Sequence, residues 1–350
     1  MAPVGTLLAT LAALLLAVAS FPADVLTNRA CASKFPIASP VERGRASFND
    51  FFRCFRPGNV IASFLDGLVD AHPQLLRKVS VASTVQNATV AGYRLSLSES
   101  TDRPAIYVQS GLHAREWSAI SSTIFALTTL LDDANAGSMA PAAFDWVFVP
   151  LVNVDGYEVS WTTNRLQRKN AAGVDLNRNY PSPYVNPSPA ATFDEDYAGP
   201  APWSEPETRG IKNFVEDRAF AGFVDVHSYG GSILLPYGDT ATPHKDAAQY
   251  ALLGRDMKEA MAHVNGSYSV QFSWELYVAY GGFQEYVARA FDKPSITIEM
   301  RGDDFIVPAA TIVQRGRELH RGLVQFAKEI QRFGDNHDHN FTTAGRAKLN

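Results

Sequence analysis

His113 and Glu116 lie three residues apart in the stretch Ser110-Gly-Leu-His-Ala-Arg-Glu-Trp117, and their types suit a metal site. The apolar run 105–109 predicts a buried strand before this stretch, and helical spacing of apolar residues predicts a helix after it, through Asp133. Both side chains therefore belong to a turn at the carboxyl end of a strand, where they can converge. A catalytic zinc ion takes three His, Glu or Asp ligands and leaves one position open. The turn offers two of the three, although a lone His-x-x-Glu pair also fits a solvated turn without a metal.

His227 and Glu299 are further candidates for this site, because each ends a predicted strand. Residues 223–227 and 295–299 are short apolar runs typical of buried strands. In open α/β sheets, ligands bind at the carboxyl edge of the strands. These two residues and the turn after residue 109 are therefore expected to meet at one edge of a sheet.

The rest of the pattern predicts the elements that must position these residues. Further strands are predicted over residues 79–85, 93–97, 146–152 and 233–235, and helices over 60–69, 117–133, 205–218, 244–264, 281–291 and 308–332. Residues 162–204 predict a long ordered loop, which in a compact domain is usually functional or mobile. Alternating strands and helices favour a mixed, twisted α/β sheet that helices cover on both faces, in a single domain.

Composition argues against several classes of protein. The chain has 350 residues, of which 46% are hydrophobic and 19% charged, as in an ordinary globular protein. Its formal net charge is −5 and it carries no dense Lys/Arg stripe, so nucleic acid is not an expected partner. No segment beyond the amino terminus is long and apolar enough to span a membrane, so a membrane is not an expected partner either.

Residues 1–19 predict a secretory signal peptide, because a leucine-rich apolar core ends in the small-x-small pattern Ala17-Val18-Ala19. We therefore expect a secreted, extracellular protein. In that setting the two cysteines, Cys31 and Cys54, favour one disulfide over two separate buried thiols. Three Asn-x-Ser/Thr sequons also fit export: Asn87, Asn265 and Asn340.

The pattern divides the rest of the chain into an arm, one large domain and a tail. Residues 20–46 are polar and show no periodicity, so they predict a short irregular arm. Residues 47–333 form the predicted domain, and residues 334–350 predict a polar, frayed tail. The arm has too few residues to bury a core of its own.

Six stretches occur in an order that resembles the secreted zinc metallocarboxypeptidases of the carboxypeptidase A/B family, over residues 48–333. They are His113-Ala-Arg-Glu-Trp117, Asn164-Arg-Leu-Gln-Arg-Lys169, Gly173-Val-Asp-Leu-Asn-Arg-Asn179, His227-Ser-Tyr229, Tyr277 with Gly281-Gly282, and Thr297-Ile-Glu-Met-Arg301. The resemblance implies a zinc carboxypeptidase-like catalytic domain in which His113, Glu116 and His227 bind one Zn²⁺ per chain. Two neutral imidazoles and one carboxylate leave a net positive site, which can acidify a bound water.

The resemblance also assigns the catalytic and substrate-binding residues. Glu299 is implied as the general base that takes a proton from the zinc-bound water and returns it to the leaving amine. Arg168 is implied to polarise the scissile carbonyl and to stabilise the oxyanion. Asn177 and Arg178 correspond to the clamp for the free C-terminal carboxylate of the peptide, and Tyr277 to the tyrosine that closes over the terminal residue.

Several neighbouring residues have less specific assignments. Asp175 either orients a ligand imidazole or is a plain structural residue. Arg115 is expected to help line the substrate subsites, whereas Arg165 and Lys169 are expected to be solvated surface charges. Tyr280 is the alternative for the closing tyrosine.

Gln284 is the expected floor of the pocket for the C-terminal side chain. The family places an apolar residue or an acid there, and a neutral amide offers no charge to pair with a buried Lys or Arg. The other expected wall residues are mostly apolar: Leu234, Phe272, Leu276, Ala279 and Thr297. A hydrophobic or neutral C-terminal residue is therefore the expected preference, unless Asp225 faces the pocket and favours basic residues.

Two other functions remain as alternatives to a carboxypeptidase. One is a zinc amidohydrolase acting on small acylated amino acids, against which the carboxylate clamp argues. The other is a zinc-binding pseudoenzyme, against which Glu299 and Arg168 argue. The expected partner is a peptide or protein with a free C-terminus, and family analogy predicts a monomer. The short arm implies secretion without the pro-domain that controls secreted relatives, or control by a different inhibitor.

Overall fold

Eight strands form one mixed sheet, in the spatial order β1-β2-β4-β3-β5-β8-β6-β7. The computed structural model describes residues 21–37, 43–98, 103–139 and 143–335. The strands are β1 (Leu76–Ser83), β2 (Thr89–Leu95), β3 (Ala105–Ser110), β4 (Asp145–Val149), β5 (Phe220–Ser228), β6 (Ser232–Leu235), β7 (Ser269–Phe272) and β8 (Ser295–Met300).

Nine α-helices accompany the sheet within the described residues. They are α1 (Ala23–Lys34), α2 (Gly58–Ala71), α3 (Trp117–Asn135), α4 (Val154–Thr162), α5 (Pro206–Glu216), α6 (Ala247–Ala262), α7 (Ser273–Leu276), α8 (Phe283–Phe291) and α9 (Ile312–Asp335).

The four central strands β4, β3, β5 and β8 run parallel to one another, and β6 runs parallel to β7, whereas the β1–β2, β2–β4 and β6–β8 pairs are antiparallel. Parallel strands have their carboxyl ends at one edge of the sheet. The turn after β3, the end of β5 and the end of β8 therefore lie next to one another, and these are the segments that carry His113, His227 and Glu299.

Helices cover both faces of the sheet, as the sequence predicts. On one face α9 packs against α3 and α6, over the larger core. On the other face α5 and α8 contribute Phe214, Phe283 and Val287 to a second apolar cluster. Both faces of the central strands are thus removed from water, which is why those strands are almost continuously apolar.

The predicted elements are confirmed to within a few residues at their ends, and four other strands or α-helices were missed. The missed elements are β7, α1, α4 and the one-turn helix α7. Between α4 and α5 the described chain forms one short 3₁₀-helix, Leu176–Arg178, so the long loop is confirmed. Among the described helices, none combines the length and the hydrophobicity that a bilayer crossing requires. The predicted signal peptide, Asn340 and residues 336–350 of the predicted tail lie outside the described residues.

The prediction of an irregular arm over residues 20–46 is wrong, because residues 23–34 form helix α1. A disulfide joins Cys31 to Cys54, and the Asn28 side chain accepts a hydrogen bond from the backbone of Phe55 at 3.1 Å. Asp24 forms an ion pair with Arg165. The apolar residues of α1 form no continuous stripe, so contacts with the rest of the domain, and not amphipathic patterning, hold it.

Candidate active site

His113, Glu116 and His227 converge at the carboxyl edge of the sheet. Nδ1 of His113 lies 2.7 Å from Glu116 Oε1, and Nδ1 of His227 lies 3.0 Å from Glu116 Oε2. The two Nδ1 atoms are 3.2 Å apart. All three side chains are buried. Within the described residues they form a group with the geometry to hold a metal ion.

Gly111 makes the turn that brings His113 and Glu116 to this position. Its φ is +72°, a left-handed conformation that residues with a Cβ rarely adopt. A Cβ at this position would also lie 3.1–3.2 Å from side-chain atoms of Ile120 and Leu151. The chain therefore needs glycine to leave β3 and enter α3 within so few residues.

Each ligand imidazole is held from behind by a second carboxylate. Nε2 of His113 lies 3.1 Å from Asp175 Oδ1, and Nε2 of His227 lies 2.9 Å from Asp225 Oδ2. With a metal ion bound on the Nδ1 side, each Nδ1 would give its lone pair to the ion, and each Nε2 would carry the proton and donate it to the carboxylate behind it. Asp175 thus orients an imidazole, which the sequence had left open.

Zinc fits this donor set. Two nitrogens bound to a tetrahedral zinc ion at about 2.0–2.1 Å are about 3.3 Å apart, close to the 3.2 Å between the Nδ1 atoms. Two facing lone pairs repel each other unless a proton or a cation lies between them. Burial disfavours a charged imidazole, but Asp225 and Glu116 outweigh it and raise the pKa of His227 well above its usual value. The site therefore attracts positive charge.

Glu299 lies beside this group, because it pairs with His227 in the β5–β8 register. Its side chain is partly exposed at the end of β8. Desolvation, together with the negative charges of Glu116 and Asp225, raises the pKa of Glu299 to about 8, although His227 and Arg168 oppose the shift. A carboxyl group in this setting can exchange a proton near neutral pH.

Arg168 reaches the same site from the long loop. Its Nε and Nη2 donate to Asp175 Oδ2 at 3.0 and 2.6 Å. Asp175 therefore joins the guanidinium to the His113 imidazole. Burial alone would raise the pKa of Asp175, but the charge of Arg168, with a smaller contribution from His113, holds this pKa well below the usual range. The guanidinium stays charged and ordered at the edge of the site.

Asn177, Arg178 and Tyr277 lie together at the rim of the site. Arg178 Nη2 is 3.3 Å from the hydroxyl oxygen of Tyr277, whose side chain is more than half exposed. Asn177 Oδ1 accepts from the backbone of Phe283, and its Nδ2 lies 3.2 Å from His227 Nε2. The structure thus brings together the residues predicted as a carboxylate clamp and a closing tyrosine.

Gly281 permits the close contact between the clamp and the tyrosine loop. Its φ is +74°, and a Cβ would lie 2.3 Å from the carbonyl oxygen of Arg178. The backbone of Tyr180 donates to the Gly281 carbonyl at 3.1 Å. A larger residue would separate the two segments.

Arg115 lies on the outer side of the ligand turn. Its guanidinium pairs with Glu195 at 2.8 Å and lies 4.1 Å from the ring centroid of Phe305. The predicted solvent exposure of Arg165 is wrong: its side chain is 5% exposed and stacks on Trp117 at 3.8 Å. Arg165 also donates to the Arg115 carbonyl at 2.9 Å, so it supports the ligand turn from below.

Gln284 is buried next to β6 and β8. Its Oε1 accepts from Thr297 Oγ1 at 2.6 Å, and its Nε2 donates to the Leu234 carbonyl at 3.2 Å. Asp225 is turned to His227 and Gln109 instead. Of the two candidates for the pocket floor, Gln284 therefore lies next to the predicted wall residues Thr297 and Leu234. The carboxylate of Asp225 is bound to His227 and Gln109.

Sequence reasoning missed the contribution of Asp225 and Gln109 to the ligand group. The available signal was position, since Asp225 lies two residues before His227 in an apolar strand and so faces the same side. The pairing of Gln109 with Asp225 depends on the β3–β5 register, which the sequence does not reveal.

Comparisons with known proteins agree with this geometry. Residues 61–322 match the family model described as zinc carboxypeptidase. Carboxypeptidase A5 of Macaca fascicularis is 29% identical over 302 residues, which cover 81% of this chain and 68% of that protein. A zinc carboxypeptidase of Simulium vittatum is 30% identical over 295 residues, covering 78% and 96%. The crystal structure of carboxypeptidase A from Helicoverpa armigera matches with a TM-score of 0.79 at 24% identity, covers 89% of this chain and 80% of that one, and shares the fold.

Proposed function

Because this chain belongs to the zinc carboxypeptidase family, we propose that it removes the C-terminal residue of peptides with Glu299 as the proton carrier. Membership makes the protein a zinc-dependent metallocarboxypeptidase, a peptide hydrolase. The proposal goes beyond family membership in three respects: the roles of individual residues, the preferred C-terminal residue and the secreted state. The observation that carries it is the position of Glu299 next to His227, at the edge where the three ligands converge.

His113, Glu116 and His227 hold the zinc ion in this proposal. When bound, zinc supplies a Lewis acid that makes a water molecule acidic near neutral pH. Glu299 accepts a proton from the attacking water and later delivers it to the leaving amine, and its position beside His227 supports both transfers. Arg168, held by Asp175, donates hydrogen bonds to the oxygen on which negative charge develops.

Arg178, Asn177 and Tyr277 recognise the free end of the peptide. A guanidinium matches the planar carboxylate through two donors, which explains why an exopeptidase places arginine at this point. The hydrogen bond between Arg178 and the Tyr277 hydroxyl is at the surface, so a substrate carboxylate can replace it. Arg115 lines the outer subsites through the face that it shares with Phe305.

Gln284 gives the side chain of the substrate's C-terminal residue an uncharged environment, and it sets the preference for hydrophobic or neutral C-terminal residues. Its amide is committed to Thr297 and Leu234, so it presents no charge to a substrate. A Lys or Arg side chain would lose its hydration there without gaining an ionic partner, which is costly. The disulfide between Cys31 and Cys54 supports export, because such bonds persist in oxidising compartments. We propose a monomer.

Hydrolysis of N-blocked dipeptides that end in Phe, Leu, Gln, Lys or Glu tests the proposal, with and without a zinc chelator. We expect chelator-sensitive release of Phe and Leu above that of Lys and Glu. Release of Lys alone would keep the mechanism and refute the assignment of Gln284. No release from any substrate, with zinc shown to be bound, would refute the peptidase and leave the pseudoenzyme or the small-amide hydrolase.

A further inference from the structure

A chain of buried polar side chains runs beneath the metal ligands, from β3 to β5. Gln109 and Asp225 are register partners in these strands, and both are almost fully buried. Asp225 stands two residues before His227, so both side chains are on one face of the sheet. Tyr107, two residues before Gln109, is also buried. A carboxylate in so dry a place is costly unless its oxygens are hydrogen-bonded.

Both oxygens of Asp225 have partners. Oδ2 lies 2.9 Å from His227 Nε2, and Oδ1 accepts from Gln109 Nε2 at 3.1 Å. Gln109 is held in turn, because its Oε1 accepts from the Tyr107 hydroxyl at 3.0 Å. These contacts run in one direction, from Tyr107 through Gln109 to Asp225, and each donor has an acceptor.

His227 needs an acceptor at Nε2 when its Nδ1 faces a metal. The amide nitrogen of Asn177 also lies near Nε2, at 3.2 Å, but the Asn177 oxygen is used by the backbone of Phe283. Asn177 therefore offers a donor at this point, and Asp225 offers the acceptor. A carboxylate at this position selects the tautomer, fixes the ring plane and strengthens the imidazole as a ligand.

We propose that Asp225, held in place by Gln109, is a positioning residue for the zinc ligand His227 and increases the affinity of the site for zinc. The inference rests on the proposed function, since it takes His227 as a ligand. It excludes the alternative that Asp225 selects basic C-terminal residues, because both oxygens are already bound away from the substrate. Asp175 backs His113 in the same way, so both ligand histidines are supported by a carboxylate.

Zinc affinity of the full chain, measured by competition with a chromophoric chelator, tests the inference without reference to activity. Asp225→Asn should weaken zinc binding by about 10–100-fold, the usual cost of losing such a partner. Gln109→Leu should weaken it less, since the carboxylate remains but loses its support. Asp145→Asn is the matched control: this carboxylate is equally buried, at the amino end of β4, and binds Arg94 and Ser96 instead.

The double variant Asp225→Asn with Gln109→Glu separates positioning from general packing. In it the asparagine carbonyl can accept from His227 while its amide donates to the new carboxylate at position 109. We expect zinc affinity to recover by at least about threefold over Asp225→Asn, whereas a purely structural loss would not recover. The Co²⁺-substituted protein should show a changed visible spectrum in Asp225→Asn and a restored one in the double variant.

Three outcomes would overturn the inference. The first is an unchanged zinc affinity in a folded Asp225→Asn variant. The second is an equal loss in Asp145→Asn, which would indicate general destabilisation. The third is a fall in the ratio of Lys to Phe release with zinc affinity unchanged, which would assign Asp225 to the pocket. Failure of the wild-type protein to bind zinc would instead refute the proposed function itself.

Discussion

The properties of Glu299 depend on how many negative groups share its surroundings. Desolvation is the largest contribution that raises its pKa to about 8, and Glu116 and Asp225 add to it. A divalent cation at the ligand group acts in the opposite direction, because it is the largest local charge. In the proposed mechanism, a zinc ion bound there would therefore lower the pKa of Glu299 and favour its ionised form, which can accept a proton.

Replacing this carboxyl group should separate metal binding from catalysis. In Glu299→Gln the three ligands are intact, so we expect zinc content to stay at the wild-type level while kcat falls by about 10²–10⁴-fold, the usual contribution of a general base. Metal analysis and dipeptide hydrolysis on one preparation measure both. Glu259→Gln, on the exposed face of α6, is the control. Near wild-type turnover in Glu299→Gln would assign the proton transfer to another group.

The preference for the terminal residue should respond to a single charge at position 284. Gln284→Asp introduces a carboxylate one methylene short of the amide that now contacts Thr297 and Leu234. A buried carboxylate gains from pairing with a cationic substrate side chain, so the ratio of kcat/KM for Lys over Phe should rise at least about tenfold, or about 1.4 kcal/mol. Gln284→Met, similar in size and uncharged, should leave Phe release high. An unchanged ratio in Gln284→Asp would show that the pocket floor lies elsewhere.

At the scale of residues, the sequence predicted the groups that recur as short motifs and missed those that depend on a partner far along the chain. His113 and Glu116 share one turn, so their spacing alone brings them together. Asp225 was assigned to the pocket as an alternative, because its direction depends on Gln109, more than a hundred residues earlier. Arg165 was taken as solvated, since nothing in its own segment indicates the Asp24 carboxylate that covers it.

At the scale of elements, periodicity located the strands and helices that bury one side and failed where other contacts hold the element. Helix α9 has one polar and one apolar face, and its periodicity predicted it, whereas α1 is held by a disulfide and by hydrogen bonds.

The first turn of α8 contains a buried carboxyl group that the sequence pattern did not indicate. Glu285 is buried there, and its Oε1 accepts from the backbone of Gly238 at 3.0 Å.

Glu285 should make stability depend on pH. Burial, with the nearby charge of Asp239, raises its pKa from 4.5 to about 7. The folded state therefore keeps a proton that the unfolded chain releases near pH 4.5, and stability falls as pH rises from about 4.5 to about 7. Relative to wild type, Glu285→Gln should gain about 1–3 kcal/mol of unfolding free energy between pH 5 and pH 8, since 1.36 kcal/mol corresponds to one pKa unit.

Urea denaturation of zinc-loaded protein at both pH values measures this gain. The comparison between variants cancels the pH dependence of zinc binding, which both share. Glu158→Gln, an exposed residue of α4, should show the same difference from wild type at pH 5 and pH 8. A Glu285→Gln difference that is also independent of pH would mean that the carboxyl group ionises normally.

At the scale of the whole molecule, α1 joins the first residues of the described chain to the back of the active site. The Cys31–Cys54 disulfide fixes its end, Arg29 donates to the Trp161 carbonyl, and Asp24 pairs with Arg165. Arg165 in turn holds the carbonyl of Arg115, inside the ligand turn. The helix is thus part of the support for the site, which the prediction of a short irregular arm did not anticipate.

Removal of the disulfide should lower stability more than activity. It closes a loop with a sequence separation of 23 residues, for which the chain-entropy model gives about 3 kcal/mol. We expect Cys31→Ser with Cys54→Ser to lower Tm by about 6 °C, because a protein of this size loses about 2 °C per kcal/mol. At 25 °C kcat/KM should stay within about twofold of wild type, since the pair of Asp24 with Arg165 remains.

Wild-type protein reduced with dithiothreitol should match the double variant, and the oxidised protein is the reference. A Tm equal to that of the oxidised protein would show that α1 stays docked without its covalent bond, and a loss of activity at 25 °C would show that the bond itself shapes the ligand turn.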